Sequence, residues 1–276
     1  MTRRTIYDSE DIRITQDVLE GASSVIVFFS SFKEADWQAV AGREDTIRFR
    51  GHSGVFVTAK SNHWWQVPDL AQMCACIRAA TRGYSQRIAY GSSKGAFGAL
   101  LLSSDIDATR VIAVAPQTAI SDPALPILPV WREAIAQRPI LRDNVAESLK
   151  LVPELMYDPH KDTDKPHIDA LKARVEVTEL RFPFGGHKLL RTFKEAGILG
   201  NVMGRVFDAP ASEAELHAIF DPAKRRSASY LHNHGSRLAE AGDFERARSE
   251  ARALETVDPV RADNLKAIID DLQAAD

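Results

Sequence analysis

A chain of 276 residues, 45% hydrophobic and 26% charged, is long enough to bury a sizeable core, and its composition is ordinary for a soluble globular protein, so disorder is not the default. A net charge of -3 leaves no basic surplus for nucleic acid as a principal partner. Cys74 and Cys76, two residues apart, build no disulfide framework, and no apolar run follows Arg3 and Arg4 or approaches membrane length, so the sequence reads as a cytoplasmic protein.

Residues 5–19 alternate β-branched and polar side chains, which predicts one or two half-exposed edge strands. The run SVIVFF at 24–29 is continuously apolar, as for a strand buried on both faces of a mainly parallel sheet, and Ser30, Ser31 and Phe32 form its exit turn. A strand over 54–59 leads into the loop Lys60 to Gln66, and Pro68 and Asp69 open a helix running to about residue 83. Further strands are predicted at 88–90, 110–115, 154–157 and 175–182, with helices at 167–173 and 188–196. Strand and helix alternate, so the expected class is α/β with a mainly parallel central sheet flanked by helices. Ligands of such sheets sit outside the carboxyl ends of the strands, where each exit turn lies. The proline-rich segment 120–150 reads as irregular, leading to helix, and as a small lid.

Within this pattern, IAYGSSKGAFGALLL at 88–102 reads as strand, sharp turn, helix, with G-x-S-x-G at the turn. A turn of this kind strains its central residue, Ser93, and lifts the hydroxyl clear of the sheet. The Lys94 N–H at the helix start is placed to stabilise an oxyanion. Two later exit turns supply the remaining chemistry. The acid-rich loop Asp158-Pro159-His160-Lys161-Asp162-Thr163-Asp164 follows one strand, and Gly185-Gly186-His187 follows the last.

Elbow, acidic loop and histidine, in that order, make residues 5–205 resemble the α/β-hydrolase superfamily of serine esterases. The resemblance implies Ser93 as nucleophile, His187 as general base and acid, and an aspartate that orients the imidazole. Asp162 ranks first for that role, because the common placement of the acid, about three residues beyond the strand end, falls near it, with Asp158 second and Asp164 third. It also implies a second oxyanion donor on Ser31 or Phe32, where Ser-Ser-Phe replaces the usual histidine-glycine turn. The implied activity is cleavage of a carboxylic ester through an acyl-enzyme on Ser93, needing no cofactor and no metal. The rival reading is a hydrolase-like scaffold with a vestigial pocket whose tail binds a partner.

Other residues carry weaker signals. Trp64 and Trp65, just past a strand end, wall a substrate site or pack beneath the lid; Gln117, at another strand end, divides the same way. Lys94 reads as a solvated lysine or as a charge at the pocket mouth favouring acidic substrates. His160 and His167 among the nearby aspartates match no metal-ligand spacing, and His52 reads as exposed in a loop. Residues 206–276 lose all strand signal. In GSRLAEAGDFERARSEARALETVDP, the spacing of Gly235, Leu238, Gly242, Phe244, Ala247 and Pro259 is similar to one tetratricopeptide-type hairpin. One such unit cannot bury its own apolar face, so this helical extension must dock on the hydrolase domain, on a second subunit or on a partner protein.

Overall fold

The computed structural model describes residues 3–32 and 51–275. Eight strands form one sheet: β1 (Arg4–Asp8), β2 (Ile12–Asp17), β3 (Ser24–Phe29), β4 (Ser53–Ala59), β5 (Gln86–Ser92), β6 (Arg110–Val114), β7 (Glu154–Tyr157) and β8 (Thr178–Arg181), in the order β1-β2-β4-β3-β5-β6-β7-β8. The pairs β1/β2 and β2/β4 are antiparallel, whereas β3 pairs in parallel with β4 and β5, and β6 with β5 and β7. β3 and β4 are buried along their whole length, consistent with their largely apolar runs, whereas β2 alternates buried and half-buried positions over its first four residues. The strand order turns at β3, which sends the chain to β4 on one side and to β5 on the other. This switch point places the exits of β3 and β5 at the crevice where sheets of this class bind ligands.

Among the described residues five helices accompany the first seven strands: α1 (Leu70–Thr81), α2 (Lys94–Leu102), α3 (Pro129–Ile135), α4 (Val145–Ser148) and α5 (Lys165–Lys172). All nine residues of α2 are buried, which its Ala, Gly, Phe and Leu content permits. The segment 120–150, expected as a lid, is fastened down. Arg138 grips Asp11 through two bonds of 2.8 and 2.6 Å, and Gln66 accepts from the N–H groups of Leu141 and Arg142 at 2.7 and 3.0 Å. The strand expected over 175–182 is shorter because the Arg174 and Val175 N–H groups bond back to the Leu171 carbonyl, extending the end of α5.

The chain divides into two compact units, the first formed by residues up to 156 with 162–180, the second by 157–161 with 181 onward. The second unit holds both the start of the acidic loop and the histidine turn. To these it adds α6 (Leu189–Glu195), α7 (Leu199–Asp208), α8 (Glu213–Phe220), α9 (Ala228–Glu240), α10 (Phe244–Glu255) and α11 (Pro259–Ala275). The boundary expected at 205 lies inside α7. A capping box between Ser212 and Glu215 starts α8, and Phe182, Phe193 and Phe220 meet edge to face with centroids 4.8 to 5.9 Å apart. At Gly235 an added Cβ would lie 2.5 Å from Leu265 and 3.2 Å from Glu250, so the missing side chain lets α9, α10 and α11 close on one another. No described helix is long and apolar enough to cross a membrane.

Candidate active site

β5 ends at Ser92 and α2 begins at Lys94, so the whole reversal falls on Ser93, at φ 53° and ψ -122°. A side-chain-bearing residue in that region costs of order 1–3 kcal/mol and persists only where its surroundings hold it. Here the Ser93 N–H donates to the Val114 carbonyl at 2.9 Å, and the Ser93 carbonyl accepts from the Phe97 N–H at 3.1 Å. The flanking glycines have steric reasons. A Cβ on Gly91 would overlap the Gly95 backbone, and one on Gly95 would overlap the Phe29 carbonyl. The Ser31 hydroxyl donates to the Ser92 carbonyl at 2.9 Å, tying the β3 exit turn to the elbow. Gln117, fully buried, accepts from the Ser93 hydroxyl at 3.5 Å, a long bond, and its own amide reaches the Ala115 carbonyl at 3.4 Å. Gln117 thus lies beside the Ser93 side chain at the elbow.

Lys94, Trp64 and Trp65 require correction. Lys94 is fully buried rather than solvated or at a pocket mouth, with Nζ 3.3 Å from the Ser61 carbonyl and 5.5 Å above the Trp65 ring. Both tryptophans are fully buried too. The Trp65 indole donates to the Lys94 carbonyl at 2.8 Å and occupies the space that a Cβ on Gly98 would need, so it packs α2 against the sheet. Trp64 lies against Phe97, Phe32 and Trp131, the last from α3, which is the packing alternative beneath 120–150.

Beside them His63 is buried, accepting the Trp65 N–H on Nδ1 at 3.1 Å and donating from Nε2 to the Asp11 carbonyl at 3.3 Å. Burial, and then the charge of Lys94, lower its pKa from 6.5 to about 4. Because the native state keeps this imidazole neutral, its contribution to stability is complete above pH 6.5 and is lost as the pH falls towards 4. The difference amounts to about 3 kcal/mol. Urea unfolding at pH 7 and pH 4.5 is expected to show a smaller loss of stability in His63→Gln than in the wild type.

The second unit carries the acid and the histidine. Asp158, the first residue beyond β7, is 3% exposed. Its Oδ1 accepts from the N–H groups of His160 and Phe184 at 2.9 and 3.0 Å, and its Oδ2 accepts from the Gly186 N–H at 2.8 Å. Burial pushes its carboxyl pKa up, while the three N–H groups oppose the shift. The side chain therefore stitches the acidic loop to the turn that carries His187, which is half-buried. Asp162, ranked first from sequence, is exposed in the loop, and Asp164 is buried at the start of α5, accepting from the Thr163 hydroxyl at 3.1 Å.

The tail docks on this same turn. The Asn233 amide of α9 donates to the Phe184 carbonyl at 3.1 Å, and a Cβ on Gly186 (φ 70°) would come within 2.5 Å of it. The Phe184 ring stacks on His160 and leans on His234, each 4.6 Å away. Asn233, which its sequence did not mark, thus braces the histidine turn.

Two further histidines, His167 and His52, are buried. His167 is fully buried; it accepts the Thr118 N–H at 3.2 Å and donates to the Pro126 carbonyl at 3.0 Å, pinning the start of 120–150. Burial lowers its pKa, consistent with a neutral ring. His52 is buried rather than exposed, with Nδ1 2.6 Å from the Ser24 hydroxyl.

A mainly parallel eight-stranded sheet with a strained serine between β5 and its helix defines an α/β-hydrolase fold. Solved structures agree on the fold. The esterase domain of a Rhodothermus marinus protein is similar at a TM-score of 0.50 and 14% identity, over 74% of this chain and 96% of that one. Acylaminoacyl peptidase of Pyrococcus horikoshii is similar at 0.50 and 13%, over 75% and 40% of the two chains. A glycosylation-associated protein complex (Gap123) from Streptococcus agalactiae contains a chain similar at 0.50 and 12%, over 72% and 45%. No protein-family model matches the sequence, and no curated protein matches it.

Proposed function

We propose that the protein is a serine hydrolase that cleaves a carboxylic ester through an acyl-enzyme on Ser93. His187 acts as general base and then as general acid, and Asp158, in place of Asp162, orients its imidazole. The observation that carries this reading is the backbone of Ser93, a strained turn residue held between β5 and the N-terminus of α2. The positive end of the helix dipole and the Lys94 N–H lie where negative charge develops on the acyl oxygen. The bond from Ser31 to the elbow supports the β3 exit turn, with Ser31 or Phe32, as the source of the second donor. Attack forms the Ser93 Oγ–acyl bond while His187 takes the hydroxyl proton. The same proton goes to the departing alcohol oxygen; water, deprotonated by His187, then attacks the acyl carbon, the Oγ–acyl bond breaks to release the acid, and His187 returns the proton to Ser93 Oγ. Similarity in fold to esterases adds analogy for the ester substrate, not evidence from the site itself.

A fluorophosphonate probe tests the reading by intact mass. One adduct per chain is expected on the wild type and none on Ser93→Ala. No adduct on well-folded wild type overturns it in favour of a binding scaffold. Because Asn233 braces the histidine turn, Asn233→Ala is expected to lower kcat on an aryl acetate by on the order of tenfold with little change in KM. Steady-state kinetics check this.

A further inference from the structure

A cavity of about 330 Å³ opens in the second unit beside His187, between the histidine turn and the helical tail. Lys161, His187, Lys188, Arg191, His232 and Arg261 line it, and among the described residues no carboxylate reaches its wall. In a chain whose net charge is -3, with acidic residues spread over the same helices, a wall of this kind is not a consequence of composition.

Two carboxylates stand behind the wall rather than in it. Glu195 accepts from Arg191 Nε at 2.8 Å and Arg261 Nη1 at 3.2 Å, and also from the Ser227 hydroxyl and the Ser229 N–H, both at 2.8 Å. Asp258 pairs with Arg261 Nε at 3.2 Å. These bonds hold the Arg261 guanidinium in place and tether that of the more exposed Arg191. Each arginine is left with Nη donors not used by those pairs. Lys161 and Lys188 form no ion pair among the described residues, so four cations face two carboxylates and the cavity keeps a positive surplus.

We propose that this cavity is an anion subsite that holds a carboxylate or phosphate group of the substrate. The guanidinium forks suit the planar, multiply accepting oxygens of such groups. The location says which part of the substrate carries the charge, and here the inference rests on the hydrolase reading. On that reading His187 gives its proton to the leaving oxygen, and because His187 itself lines the cavity, the charged group held there belongs to the alcohol portion of the ester. The tail then supplies specificity to the site: Arg261 comes from α11 and His232 from α9. The substrate class is an ester of an anionic alcohol, a hydroxy acid or a phosphorylated alcohol.

The test compares 4-acetoxybenzoate with its neutral counterpart 4-acetoxybenzamide, each kcat/KM divided by the rate of spontaneous hydrolysis. In the wild type the anionic ester is expected to be preferred, more strongly at low than at high salt. The double variant Lys161→Glu/Lys188→Glu alters two exposed side chains that make no ion pair among the described residues, and is expected to cut the anionic-to-neutral ratio by about tenfold, since each exposed pairing is worth a few-fold. A ratio unchanged by the variant overturns the subsite. Binding of inorganic phosphate, followed by calorimetry against sodium chloride of equal ionic strength, is independent of turnover. Saturable binding that the double variant loses supports the cavity, and absence of binding in the wild type overturns it. If neither ester is cleaved and the fluorophosphonate leaves no adduct, the hydrolase reading fails by itself and phosphate binding alone decides the subsite.

Discussion

Ser93→Ala is expected to lower kcat on an aryl acetate by about 10⁶-fold, the loss found when a nucleophile that works as one unit with its base is removed. Folding should survive, because alanine keeps the Cβ and the backbone bonds to Val114 and Phe97 do not involve the hydroxyl. The residual rate would come from the oxyanion donors and from binding. Ser93→Gly makes a sharper comparison. It removes the hydroxyl equally, but φ 53° with ψ -122° is a conformation that glycine adopts without side-chain strain. Relief of strain, offset by the greater freedom of glycine in the unfolded chain, is expected to raise the unfolding free energy by about 1 kcal/mol over Ser93→Ala. Urea titration measures that difference. An elbow that is more stable when inactive is the signature of strain kept for function; equal stability would mean that the turn is only a chain reversal.

The features legible in the sequence were those fixed by local sterics. SVIVFF could only be a strand buried on both faces, and G-x-S-x-G needs glycine where Gly91 and Gly95 touch backbone. What local pattern could not supply was the environment of polar side chains. Lys94 looked solvated because lysine commonly is, yet its helix is enclosed on every side and its amine ends on the Ser61 carbonyl and the Trp65 face. Trp64 and Trp65 follow a strand end, where ligand contacts concentrate, but both take left-handed backbone angles (φ 51° and 63°) that turn them into the core. The family's usual spacing pointed near Asp162, and the Asp-Pro-His triplet carries a turn signal of its own. An aspartate that accepts from the N–H two residues on forms an Asx turn, and Asp158 does this with His160. Asn233 and the cationic cavity depend on helices that meet the histidine turn only in the folded chain, and no spacing in the sequence announces them.

Asp158→Asn is expected to reduce kcat by about 10³–10⁴-fold, with Asp162→Asn within about twofold of the wild type. Three N–H groups converge on the two oxygens of Asp158, and an amide offers one oxygen where the carboxylate offers two. If that oxygen keeps His160 and Phe184, an NH₂ faces the Gly186 N–H, and the turn carrying His187 must move. If the amide flips, Gly186 is kept and the other two are lost. Either way a buried donor is left unsatisfied, at a cost of about 1–3 kcal/mol in stability, and the negative charge that would stabilise a protonated His187 is gone. The two consequences separate by experiment. Loss of stability is read from urea titration, whereas loss of the charge lowers kcat at temperatures where the variant is fully folded and slows fluorophosphonate labelling in parallel. A variant that is less stable but labels at the wild-type rate would make Asp158 a clamp for the turn and return the orienting role to Asp162 or Asp164. Slow labelling by Asp158→Asn alone would assign it to the carboxylate that already holds the Gly186 N–H.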